Sequence, residues 1–135
     1  MSIQGMGPSP ADSADSVNYT PNDKQLINGL RTLQDGCNSL VNLLSQGADE
    51  SQVNDAFNKI AEDFTMVEFN EVNGGFNHQV QKVFSQFTQV YGAAVTASTA
   101  YSKDPSGSTA NSFSQSVVDL DNSANFLIGT IIRYP

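Results

Sequence analysis

Six side chains, Leu26, Leu30, Leu33, Cys37, Leu40 and Leu44, recur at intervals of 4, 3, 4, 3 and 4 residues. An α-helix brings positions three and four apart onto one face, so this spacing makes a continuous apolar seam of the kind that packs lengthwise on another helix. A strand, which alternates faces every residue, could not hold all six on one side. The pattern returns three more times. It runs through Val53, Phe57, Ile60, Phe64 and Val67, and then through Phe76, Val80, Val83, Phe87, Val90, Ala94, Ala97 and Tyr101. The last run is Phe113, Val117, Leu120, Ala124, Leu127 and Ile131.

Punctuation between the runs agrees with the periodicity. Thr20 is a good helix cap, Pro21 suits a first helical position that needs no amide hydrogen, and Asp23 favours the positive end of the helix. Gly47 stops the first run, "DESQ" from Asp49 to Gln52 has the form of a capping box, and "NGG" from Asn73 to Gly75 is a strong turn signal. Asp104, Pro105 and Gly107 break the chain again before the fourth run. Short connections force consecutive helices to lie antiparallel. The fold expected is therefore all-α, an antiparallel up-down-up-down four-helix bundle over residues 21–135. Residues 1–20, rich in Gly, Pro, Ser and Asp, read as a flexible N-terminal arm. The competing arrangement opens the helices into long hairpins that pair with other chains, since a heptad seam does not specify that its partner is intramolecular.

Charge narrows the function. Over 135 residues there are 14 acidic and 6 basic side chains, a net charge of −8, which repels nucleic-acid phosphates and anionic lipid. No nucleic-acid partner is expected. No apolar run approaches the roughly 18 residues of a membrane span. The polar N-terminal stretch lacks the basic-then-apolar form of a cleaved signal peptide. The chain is expected to stay in the cytoplasm or to reach the outside by a route without such a peptide. The low charged fraction, 15%, leaves a Ser-, Asn-, Gln- and Thr-rich surface that repels itself weakly.

Residues that could carry chemistry are few. His78 and Cys37 are the only histidine and the only cysteine. One histidine cannot furnish the two Glu-x-x-His pairs of a dinuclear bundle site. Glu68 and Glu71, with Asp55, Glu62 and Asp63 upstream, read as a solvated acidic face before they read as a cation site. Cys37 sits on the leucine seam as a small hydrophobe with no base on its own helix. Neither a phosphate loop nor a serine elbow is present. The expectation is a non-enzyme with no cofactor and no metal.

What stands out is an apolar surplus. Phe126, Ile128, Ile132 and Tyr134 surround the seam positions Leu127 and Ile131, and Met66, Phe69 and Val72 lie off the second seam. A helix apolar on every side is buried on every side, so these seven residues are the expected interface of a structural protein that forms a homo-oligomer or filament. The other reading has the surplus seal one end of the bundle. In outline, a Ser-rich N-terminal segment paired with an apolar last helix resembles bacterial export-apparatus filament subunits and secreted tip proteins. The Phe-rich seams and small, Ser-rich, all-helical character are similar to fungal cell-wall mannoproteins, which implies an alternative role as carrier of a lipid-like apolar ligand. A third role, an adaptor or chaperone for a partner helix, would use Met66, Phe69 and Val72.

Overall fold

A computed structural model describes residues 20–134, and they form four helices: α1 (Pro21–Ser45), α2 (Glu50–Asn73), α3 (His78–Lys103) and α4 (Gly107–Arg133). Of the expected arm only Thr20 is among the described residues. Each helix starts where a short polar side chain can accept a backbone amide. Thr20 and Asp23 form a reciprocal capping box, with both hydrogen bonds at 3.0 Å. Asp49 accepts from the Gln52 amide at 2.9 Å, and Ser106 with Thr109 forms a second reciprocal box at the start of α4.

The turn between α2 and α3 departs from the sequence reading. Helix α3 begins at His78 under an Asn77 cap, so Phe76, expected as the first residue of that seam, lies ahead of the helix and is nonetheless buried. Gly75 has φ 64°, a left-handed conformation that glycine adopts without a side-chain penalty. A Cβ on neighbouring Gly74 would run into the Phe76 ring and the Asn70 carbonyl. The glycine pair thus folds Phe76 back over the end of the bundle.

All four seams converge on one core. Leu26, Leu30, Leu33, Leu40, Ile60, Phe87, Phe113, Leu120 and Leu127 are fully buried. Helix α1 packs closely along both α2 and α4, and α4 packs closely along α3. The remaining neighbours, α2 and α3, approach least, which makes α1/α3 and α2/α4 the diagonal pairs. Two local features explain the asymmetry. On the tight side, Gly29 faces Val67 and Gly36 faces Ile60, where added Cβ atoms would lie 3.3 and 3.1 Å from those side chains. On the wide side, Phe57 and Phe64 of α2 meet Phe84, Phe87 and Tyr91 of α3, and the rings hold the two backbones apart.

Candidate functional site

Helix geometry and register decide where each expected contact residue falls. Asn22 on α1 donates to the Gly74 carbonyl after α2, and Asn77 before α3 donates to the Tyr134 carbonyl at 2.6 Å. The start of α1, the end of α2, the start of α3 and the end of α4 therefore share one end of the bundle. The seven residues separate there into two groups.

Ile128 is only 6% exposed and Ile132 is half-buried against the core. Both continue the ridge of Asp121 and Asn125, residues that line a groove facing α1, so Ile128 and Ile132 turn toward α1. Ile27, which continues the ridge of Arg31, Gln34 and Asn38 on α1, is buried on the opposing side. Ile128 belongs to the chain's own core and Ile132 packs half-buried against it, so the exposed contact surface is drawn without them. Helix phase carries the signal that separates them from Phe126: Ile128 lies three and four residues from the buried Ile131 and Ala124, whereas Phe126 lies nine residues, two and a half turns, from the buried Val117.

Phe126 is 55% exposed, Tyr134 46%, Met66 57%, Phe69 61% and Val72 70%. On α2, Phe69 lies nine residues from the buried Ile60, two and a half turns, and so points straight away from the core. Met66 and Val72 flank it one turn to either side. Val72 reaches a groove of about 520 Å³ between α2 and α3, lined also by Glu71, Gly75, Gln81, Phe84, Ser85, Thr88 and Gln89. In the same seam Glu68 raises two neighbours: Glu71 and Tyr91 both have pKa values above their ordinary ones, first through partial burial and then through the Glu68 charge.

The remaining candidate chemistry is quiet. Cys37 is 1% exposed, and burial, then Asp121 and Asp63, pushes its thiol up to about 12. A thiol so placed stays protonated at neutral pH and is a poor nucleophile. His78 is exposed at the first turn of α3. Among the described residues no three His, Cys, Asp or Glu side chains gather in a metal-binding arrangement. Asp63 pairs loosely with Lys59 at 3.6 Å, and its buried Oδ2 has no hydrogen-bond partner among the described residues. The wide α2–α3 side, where a bundle could admit an apolar ligand, is occupied by five aromatic rings in mutual contact. No helix among the described residues is long and apolar enough to cross a membrane. Comparison with family models, curated proteins and solved structures finds no match to this chain.

Proposed function

We propose that this protein is a non-catalytic assembly subunit, a helical bundle whose copies associate through apolar side chains left outside a completed core. One observation carries the reading. Among the described residues, five of the six exposed large apolar side chains (Met66, Phe69, Val72, Phe126 and Tyr134, with Val95 the exception) lie in the half of the bundle where α1 begins and α4 finishes. Exposed hydrophobes scattered singly are ordinary, whereas their concentration marks a contact surface. The core needs none of them, so their exposure is not a by-product of folding.

An adaptor for a partner helix would draw on the α2 residues alone and would leave Phe126 and Tyr134 without a role. Light scattering of the full chain across a wide concentration range, with electron microscopy of large species, tests the proposal. Species that grow with concentration support it, and Phe69→Asp should return them to monomer with helicity intact. A strict monomer at every concentration sinks self-assembly.

A further inference from the structure

The exposed apolar side chains form two unlike faces. Around the exposed apolar residues of α2 stand Glu62, Glu68 and Glu71, while Asp63 turns toward Gly36 of α1 and pairs with Lys59. The last turn of α2 holds no basic residue, and Glu71 sits there against the negative end of the helix dipole, where a cation would be favoured, with Glu68 one turn before it. Met66, Phe69 and Val72 are thus an apolar stripe with an acidic rim.

The second face has the opposite charge. Phe126 and Arg133 are seven residues apart on α4 and share one stripe. Asp121 and Asn125 occupy the flank of α4 toward α1, so the Phe126 stripe lies on the outer flank toward α3. On α3, Gln81, Phe84 and Thr88 line the groove toward α2, which places exposed Lys82 on the other flank, toward α4. The Asn77–Tyr134 hydrogen bond sets the antiparallel register and brings Lys82 between the levels of Phe126 and Arg133. Neither Lys82 nor Arg133 has an acidic partner among the described residues. The nearest acid on this flank of α4, Asp119, lies about two turns away and accepts from Gln115 at 3.0 Å.

From these placements we infer that assembly is heterologous: the acid-rimmed α2 face of one copy docks on the basic Phe126 face of the next. The inference rests on the assembly reading above and specifies its interface. Two α2 faces together would set Glu62, Glu68 and Glu71 against their own copies, and two Phe126 faces would oppose Lys82 and Arg133 to theirs. Only the mixed pairing matches apolar to apolar and acid to base. Residues 1–19 suit the α2 face poorly, because they contain Asp12 and Asp15 and no Lys or Arg. Since α2 and α4 are diagonal, the two faces lie on opposite sides of the bundle. Such a contact repeats from copy to copy, giving an open filament or a ring.

A complementation experiment tests this. Phe69→Glu disables the α2 face and Phe126→Glu the other, both at exposed positions where circular dichroism should show unchanged helicity. Each variant alone should remain monomeric while the wild type assembles. An equimolar mixture should double in mass to a dimer and stop there, because the pair retains one good contact, and added salt should dissociate it. A mixture that stays monomeric while the wild type assembles overturns the heterologous interface and leaves the assembly reading standing. Either variant assembling alone like the wild type also overturns it. A monomeric wild type removes the assembly reading itself, and this inference with it.

Discussion

Phe64 and Tyr91 lie ring on ring, their centroids 3.8 Å apart and their planes within 4° of parallel, and this contact spans the widest interface of the bundle. Phe64 also meets Phe84 and Phe87, at 6.4 and 5.7 Å. Removing its ring deletes the centre of the cluster where the backbones are too far apart to collapse. Phe64→Ala should cost about 3–5 kcal/mol, read as a lower urea midpoint. Tyr91→Phe keeps the stack and should change stability far less.

Neighbouring positions on α4 should answer the same kind of substitution in opposite ways. Ile128→Asp places a carboxylate among the side chains between α4 and α1, and it should destabilise by more than about 3 kcal/mol, with loss of helical ellipticity. Phe126→Asp, on the outer flank, should leave the far-ultraviolet spectrum and the melting temperature nearly unchanged. An Ile128→Asp variant with native stability would show that its side chain does not belong to the core.

Two helical glycines make a similar pair. Gly92 is exposed and a Cβ there would meet nothing within 4 Å, so Gly92→Ala should stabilise by about 0.5–1 kcal/mol through helix propensity alone. Gly36 faces Ile60 so closely that a Cβ would already lie 3.1 Å away. Gly36→Leu should push α1 and α2 apart and lower the melting temperature.

Glu71 gives a pH-dependent outcome. Its pKa is higher in the folded chain than in the unfolded one, through burial and then the Glu68 charge, so folding favours the protonated form. Its contribution to stability is fully present below the unfolded pKa and is lost as pH rises through the folded one. Glu71→Gln, which resembles the protonated acid, should therefore raise the melting temperature at neutral pH. The gain should vanish once the pH falls below the carboxylate range, and a gain equal at both extremes would refute this cause.

The four helices were legible because heptad spacing and cap residues are local signals, and Thr20, Pro21 and Asp23 act as their chemistry requires. Phe76 lies two residues ahead of α3 rather than at its head, since it keeps the seam's spacing while a glycine pair, not a helix, delivers it to the core. The close α1–α2 contact through Gly29 and Gly36 was not read, because a glycine inside a helical run acquires meaning only from what it faces. The contact residues were half legible. Excess apolar content on α2 and α4 could be counted, but a count ignores helix phase: Ile128 lies three and four residues from the buried Ile131 and Ala124, whereas Phe126 lies two and a half turns from the buried Val117 and faces away.

The tight interfaces place the helices in the spatial order α2, α1, α4, α3, and the middle pair is the most distant along the chain. The first helix can complete its buried side only against the last. During synthesis, an α1–α2 hairpin would wait with the α1 side of its seam open, exposing Leu30 and Cys37, until residues 107–133 had emerged. Such a topology delays the finished core until α4 has been made and makes the loss of α4 more damaging than the loss of an equal length from a chain with local contacts.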